Sequence, residues 1–156
     1  MPSFERCLRK VAERDDRDDW AVRLREDDAM LETRLTVAQE EAIRRIVETT
    51  DGGGELDFLV VYGSVSRGQQ RADSDLDVYY ETSDLTTELE AADPDSRWHV
   101  FGVPSGSLLE SLRRGDRFAF DLVTDALVVR DTGRFREFVV AIDEEKLSPA
   151  EAATCA

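Results

Sequence analysis

The chain has 156 residues, enough for one domain with a proper core and too few for two large ones. Its 35 acidic residues outnumber 20 basic ones, which gives a net charge of −15. This charge makes broad nucleic-acid binding unlikely, because the phosphate backbone requires a basic face, and it disfavours anionic membranes.

The acidic composition is accompanied by a scarcity of lysine: Lys10 and Lys146 are the only two. Carboxylates hold water and cations, so the sequence predicts a protein of a halophilic cytoplasm, with an ordinary acidic protein as the alternative. Cys7 and Cys155 lie at opposite ends and are expected to be free thiols in a reducing compartment. We expect a soluble cytoplasmic protein, since no signal peptide and no membrane-spanning apolar run is visible.

The N-terminal third is predicted to be mostly helical. Apolar residues at helical spacing predict an amphipathic helix over residues 3–14, which the acidic run 15–19 should end. The alternating Trp20, Val22 and Leu24 fit either a short strand or one helical face. Thr36 and the residue three positions on, Gln39, resemble a capping box at the start of a helix that reaches about residue 50.

The centre of the chain carries the most informative pattern. Residues 58–62 form an unbroken β-branched and aromatic run, typical of a strand buried on both faces. Gly63 and Ser64 then force a tight turn, and if a helix begins there its free N–H groups can receive phosphate oxygens. Asp75 and Asp77 follow inside a second apolar run, where strand alternation would put both carboxylates on one face.

The remaining elements alternate between helix and strand. We predict a helix over residues 83–92, a strand over 98–103, a helix from 107 to 115 with a Ser107–Glu110 capping box, a helix over 117–126, an extended stretch over 127–129, a last helix over 131–142, and one further turn at 148–149. This order predicts an α/β or α+β fold with one small mixed sheet flanked by helices.

The stretch from Gly63 to Asp77, with Arg67 and Ser74 between, resembles the signature of the nucleotidyltransferase superfamily. It is similar to the minimal nucleotidyltransferases of prokaryotes, some of which are antitoxin partners of HEPN-domain toxins. The resemblance is strong over residues 58–80 and loose to about residue 138. It implies a nucleotidyltransferase domain over residues 36–145, with residues 1–35 as a helical extension and 146–156 as a tail.

The resemblance also implies a division of roles. Asp75 and Asp77 would ligate Mg²⁺ or Mn²⁺, which suits hard oxygen ligands. Gly63, Ser64, Arg67 and Ser74 would bind ATP or another nucleoside triphosphate. Arg67 could equally form a salt bridge with Asp73, the alternative left open by the sequence.

The family usually supplies a third carboxylate from a neighbouring strand, and here the sequence departs from the pattern. The matching strand places His99 where an acid is expected. A histidine can accept a proton at neutral pH but is a poorer Mg²⁺ ligand than a carboxylate, and a structural histidine beside aromatic residues is an equal alternative. Asp121 is the second candidate, although its surroundings predict a helix and a solvated position.

Two functions follow as expectations. The first is a metal-dependent transferase that moves a nucleoside monophosphate from ATP to a hydroxyl, which the resemblance suggests could belong to a HEPN-type partner protein. The second is a nucleotide-binding module with weak or no catalysis that acts on its partner by contact. The N-terminal helix and the region of Trp20 are candidates for a partner surface or a homodimer contact.

Overall fold

The computed structural model describes residues 17–51, 56–69, 75–83 and 98–150. Within these ranges it contains five helices and one four-stranded sheet, which confirms the predicted small mixed sheet flanked by helices. The helices are α1 (Arg17–Arg34), α2 (Val37–Asp51), α3 (Ser107–Arg113), α4 (Arg117–Asp125) and α5 (Arg134–Glu144). The strands are β1 (Leu56–Tyr62), β2 (Leu76–Thr82), β3 (Trp98–Pro104) and β4 (Leu127–Asp131).

The sheet has the strand order β3-β2-β1-β4. Strand β1 lies at the centre and pairs antiparallel with both β2 and β4, whereas β2 and β3 are parallel. The antiparallel pair brings the end of β1 beside the beginning of β2. The parallel pair brings the beginning of β3 to the same place, and β4 also begins there, so four strand ends meet at one end of the sheet.

Both faces of β1 are buried, as its unbroken apolar run predicts. Phe58 and Val60 face a layer formed by α3, α4 and α5, and Leu59 and Val61 face a layer that contains α2 and the end of α1. All four side chains are fully buried. The sheet therefore lies between two helical layers, and polar groups remain accessible only at its ends and edges.

The alternation of Trp20, Val22 and Leu24 belongs to a helix. Trp20 and Leu24 are four residues apart on α1 and pack against the same core cluster, whereas Val22 is exposed. Helix α1 begins at Arg17, within the acidic run 15–19 that was expected to end the preceding helix. The predicted helix over residues 3–14 lies outside the described residues.

Helix α1 also covers the outer edge of β4. The side chain of Asp27 accepts the backbone N–H of Val128 at 2.9 Å, and the guanidinium of Arg23 donates to the carbonyl of Ala126 at 3.3 Å. Arg23 and Asp27 are both buried and lie 3.7 Å apart as an ion pair. Two side chains of α1 thus satisfy backbone groups at the outer edge of the four described strands.

The predicted capping box at the start of α2 is confirmed. The backbone N–H of Gln39 donates to the hydroxyl of Thr36 at 3.1 Å, and the N–H of Thr36 donates to the side-chain carbonyl of Gln39 at 2.9 Å. The second predicted box, at Ser107, is wrong. The hydroxyl of Ser107 donates back to the carbonyl of Pro104 at 2.6 Å, and Gly106 takes the N-cap position.

A buried carboxylate from the sheet caps α3 instead. Glu81 of β2 is fully buried and accepts the N–H groups of Gly106 at 2.7 Å and Leu108 at 2.8 Å. Burial raises the pKa of its carboxyl to about 7, although these two hydrogen bonds favour the ionised form and pull in the other direction. The carboxyl group of Glu81, which is distant in sequence, therefore provides the helix cap that Ser107 was expected to supply.

The other helices and strands predicted from residue 98 to residue 142 are confirmed in type, with shifted bounds. Helix α5 begins at Arg134 rather than at Asp131, because Asp131 is still in β4 and its carboxylate accepts the N–H groups of residues 133, 135 and 136. Residues 147–150 form no helical turn, contrary to the prediction at 148–149. The predicted helix over 83–92 falls almost entirely outside the described residues.

Candidate functional site

The bend after β1 forms a compact series of turns. Residues 63–68 turn back on themselves, and the N–H groups of Arg67 and Gln69 donate to the carbonyls of Gly63 and Ser64 at 3.2 and 2.9 Å. The hydroxyl of Ser66 also donates to the Gly63 carbonyl, at 2.9 Å. The predicted tight turn is therefore confirmed, with a left-handed φ of 77° at Gly63, and the chain does not enter a helix here.

Asp77 faces this bend. It lies opposite Tyr62 in the antiparallel register of β1 and β2, so its side chain is on the same sheet face as the last residue before the bend. A methyl group at Gly63 would overlap the Oδ2 atom of Asp77. The Asp77 carboxylate and the Gly63 backbone are thus in direct contact, and any other residue at the first position of the bend would have to displace this carboxylate.

His99 is bound to the same carboxylate. It stands opposite Asp77 in the parallel register of β2 and β3, and its Nδ1 atom lies 3.0 Å from Asp77 Oδ1. The imidazole is 66% exposed, so it is not the partly buried structural histidine that was the alternative. The prediction that His99 occupies the strand position next to the aspartate pair is confirmed.

Asp75 and Ser64 present unengaged polar groups. Both are partly exposed, Asp75 immediately before β2 and Ser64 at the second position of the bend. In residues 17–51, 56–69, 75–83 and 98–150, neither side chain forms a hydrogen bond or ion pair. Ser74, predicted to contact the nucleotide, lies outside the described residues.

Arg67 pairs with a residue that the sequence did not suggest. Its guanidinium lies 3.8 Å from Asp125 of α4 and donates to the side chain of Gln69 at 3.2 Å. Burial raises the pKa of the Asp125 carboxyl, and the charge of Arg67 opposes that rise. The ion pair joins the bend to α4, and the proposed alternative partner, Asp73, is outside the described residues.

Helix α4 forms the wall beside the bend. Phe118 packs edge-to-face on Tyr62, with ring centroids 5.7 Å apart, and Asp125 reaches Arg67. Asp121 lies three residues after Phe118 and four before Asp125, so helical geometry puts it on the face between these two contacts. Asp121 is exposed and helical as predicted, and it borders the bend from α4.

Sequence reasoning missed Arg34. This last residue of α1 donates to the carbonyls of Val65 and Ser66 at 3.2 and 2.7 Å. The guanidinium therefore fixes the backbone of the bend at two carbonyls and places a positive charge next to it. No local pattern could have shown this contact, because the partners are 31 and 32 residues apart.

The phenol of Tyr62 completes the surroundings of Asp77. Burial raises the pKa of Tyr62, and the negative charge of Asp77 raises it further. Tyr62 is consequently a neutral phenol that can serve as a hydrogen-bond donor. The site thus contains two carboxylates, an imidazole, a hydroxyl and a phenol around one glycine bend.

The donor set fits a divalent metal that arrives with a phosphate ligand. Within the described ranges, no group of three or more His, Cys, Asp or Glu side chains is arranged to hold a metal ion. Mg²⁺ is usually held by one or two carboxylates together with substrate phosphates rather than by a cage of protein ligands. Asp75 and Asp77 supply that number of hard oxygen ligands, next to a bend that can approach a phosphate closely.

Comparison with known proteins gives a similarity of structure only. No family model matches the chain, and no curated protein matches it. Six chains of solved structures match, among them one from a crystal structure of a toxin–antitoxin with AMP-PNP. That chain is 21% identical, the match covers 69% of this chain and 86% of the other, and the TM-score is 0.47.

A likeness at this level assigns neither the binding nor the assembly of that protein to this chain. Among the described residues, no helix is both long and apolar enough to cross a membrane. The functional argument therefore depends on the residues of the site.

Proposed function

We propose that this protein is a metal-dependent nucleotidyltransferase that transfers a nucleoside monophosphate from ATP, or another nucleoside triphosphate, to a hydroxyl group. The observation that carries the proposal is the contact between the Asp77 carboxylate and the Gly63 backbone, with His99 bound to the same carboxylate. Strand, glycine bend and acidic strand converge here in the order that the motif from Gly63 to Asp77 requires.

In this proposal, Asp75 and Asp77 would hold Mg²⁺ together with the triphosphate, and the metal would supply positive charge against the phosphate oxygens. Ser64 would bind a phosphate through its hydroxyl and backbone N–H. Arg34 and Arg67 keep the bend in shape, the first through two carbonyls and the second through Asp125. Ser74 remains a proposed nucleotide contact.

The transfer step is a displacement at the α-phosphorus. The acceptor oxygen forms a bond to this phosphorus, the bond to the bridging oxygen breaks, and pyrophosphate leaves with the electron pair. The acceptor hydroxyl must lose its proton. His99 is suited to accept this proton. Asp77 contacts only Nδ1, so the exposed ring can take up a proton at Nε2 when that nitrogen is free.

Two exposed aromatic rings beside the site suit the base of the nucleotide. Phe101, two residues after His99 on the same strand face, is 55% exposed and stacks on Tyr79 with ring centroids 6.1 Å apart. Phe118 is 46% exposed beside Tyr62. Such rings can stack on any nucleobase, because every base has an aromatic face.

The acceptor that the family resemblance implies is a tyrosine of a HEPN-type partner protein. The second candidate function is a nucleotide-binding module that acts on its partner by contact alone. The observation that favours it is His99 itself, because an imidazole replaces the acid expected beside Asp77, and an imidazole is a poorer Mg²⁺ ligand than a carboxylate.

Incubation with Mg²⁺ and ATP labelled at the α-phosphate, with and without a co-purified partner, separates these functions. We expect Mg²⁺-dependent transfer of label that Asp77→Asn reduces by at least about a hundredfold. Asp143→Asn, an exposed aspartate on α5, is the matched control and should leave transfer unchanged. Nucleotide binding without transfer would establish the module, and neither binding nor transfer would overturn the proposal.

A further inference from the structure

A groove of about 470 Å³ lies on the side of the sheet opposite to the Asp77 carboxylate. It is bounded by the C-terminal half of α1, by α2 and by β4. Its apolar lining consists of aliphatic side chains: Leu31, Leu35, Ile43, Val47 and Val129. Its size is within the range of binding clefts. Leu31 and Ile43 are buried at its floor, whereas Leu35, Val47 and Val129 are only partly buried.

Acidic side chains surround this apolar floor. Asp28 and Glu32, one helical turn apart on α1, line one side, and Glu40 and Glu48 of α2 line the other. The basic residue of the lining, Arg44, is already paired with Glu41, at 2.9 Å. The rim therefore carries an excess of negative charge around a surface that water solvates poorly.

The two features together define the chemistry of an occupant. An aliphatic floor between two helices suits the apolar stripe of a third helix, which presents side chains at positions i, i+3, i+4 and i+7. Four rim carboxylates suit Lys or Arg on the flanks of that stripe. An anionic membrane or a nucleic acid would be repelled by the same rim.

We propose that this groove, formed by α1, α2 and β4, binds a basic amphipathic helix of a partner protein. The proposal is independent of nucleotidyl transfer, because the groove and the Asp77 site lie on opposite sheet faces. It gives the chain a docking surface that leaves the nucleotide site open. A partner held there would be anchored without covering the bend.

The chain itself contains a competing occupant. Residues 4–11 combine Phe4, Leu8 and Val11 with Arg6, Arg9 and Lys10, which is the same chemistry as that of the proposed partner helix. An experiment must therefore distinguish a groove that is open to a partner from one that is filled by this segment.

The probe is a fluorescent synthetic 18-residue helix of leucine and lysine with one apolar stripe, titrated with the full-length protein and followed by anisotropy. A peptide of the same composition in scrambled order is the peptide control. We expect saturable binding of the amphipathic peptide. The double variant Glu32→Lys/Glu48→Lys should weaken this binding by about tenfold or more.

The matched control is Asp143→Lys/Glu144→Lys, which changes the net charge by the same amount at exposed positions of α5. It should leave the affinity within about twofold of wild type. Equal weakening by both double variants, or equal binding of the scrambled peptide, would show nonspecific attraction and overturn the proposal. Circular dichroism and urea unfolding verify that each variant is folded.

A last variant addresses the competing occupant. Phe4→Asp/Leu8→Asp removes the apolar stripe of the N-terminal segment and leaves the groove unchanged. If the wild type does not bind the peptide but this variant does, the groove belongs to the chain's own segment and the partner proposal fails. If both bind with the same affinity, the groove is open and the proposal stands.

Discussion

Gly63 and Asp77 touch across the end of β1 and the beginning of β2, so closely that the Cβ of any other residue at 63 would overlap the aspartate Oδ2. The two residues are fourteen positions apart in the sequence, and the register of β1 and β2 brings them together. The glycine therefore has two functions: it adopts a left-handed φ of 77° and it leaves space for a carboxylate.

Replacement of Gly63 tests this contact. Gly63→Ala should displace the Asp77 carboxylate and abolish detectable Mg²⁺-ATP binding by calorimetry. The matched control is Gly133→Ala, because Gly133 also has a left-handed φ, of 110°, but its Cβ would meet no atom within 4 Å. The control should lose about 1–2 kcal/mol of stability from backbone strain alone and retain nucleotide affinity. Equal affinity in the two variants would contradict the role of the contact.

Arg34 is predicted to preserve the shape of the bend. Arg34→Met removes two charged hydrogen bonds to the carbonyls of Val65 and Ser66, so urea unfolding should show a loss of about 1–3 kcal/mol. Mg²⁺-ATP affinity should fall as the bend loosens. Arg25→Met, at an exposed position of the same helix, should change neither quantity by more than about 0.5 kcal/mol. An unchanged affinity in Arg34→Met would separate this residue from the site.

Asp27 is predicted to be the most sensitive acidic residue of α1. Asp27→Ala removes the acceptor of the Val128 N–H and an ion-pair partner of the buried Arg23. Loss of one member of a buried pair costs about 3–5 kcal/mol, measurable as a shift of the urea midpoint. Asp28→Ala, at the neighbouring exposed position, should cost less than about 0.5 kcal/mol. Similar losses in both would show that the β4 edge does not depend on Asp27.

Glu81 predicts a pH dependence of stability. Its carboxyl has a pKa of about 7 in the folded protein and an ordinary value near 4.5 when unfolded, so the folded state binds more protons between these values. Ionisation of Glu81 therefore lowers the free energy of unfolding as the pH rises from about 4.5 to 7, by at most about 3 kcal/mol. The contribution is fully present below pH 4.5 and is lost above pH 7.

Comparison with Glu81→Gln isolates this contribution from the other carboxylates. The difference in unfolding free energy between wild type and Glu81→Gln should decrease with rising pH over that window, because glutamine does not titrate. Urea titrations at several pH values and constant salt measure it. A difference that stays constant from pH 4.5 to 7.5 would contradict the raised pKa of Glu81.

Elements defined by local chemistry were predictable from the sequence. The Thr36–Gln39 box formed as expected because both partners lie within one helical turn. Strand β1 was predictable because an unbroken β-branched and aromatic run has few alternatives to burial in a sheet. The prediction for His99 succeeded for a related reason: the strand candidate was clear, and its place beside β2 followed from the resemblance.

Predictions failed where a distant group determined the local structure. Ser107 is followed by Glu110 in the pattern of a capping box, but the carboxylate of Glu81 accepts the free N–H groups at the start of α3 instead. Asp131 was predicted to begin the last helix, yet it pairs with Phe58 of β1 and belongs to β4. The alternation at Trp20 and Leu24 became a helix because packing against the core and the β4 edge outweighs weak local preferences.

By itself, the sequence determined that an acidic chain would form a small mixed sheet with helices around it and a glycine bend near two aspartates, because hydrophobic period and turn chemistry act over a few residues. Tertiary structure alone decided which carboxylate meets the bend, that Arg34 and Asp125 support it, and that Glu81 is buried as a helix cap. These contacts join residues that are 14 to 58 positions apart, and only the strand register and the packing of helices can bring such groups together.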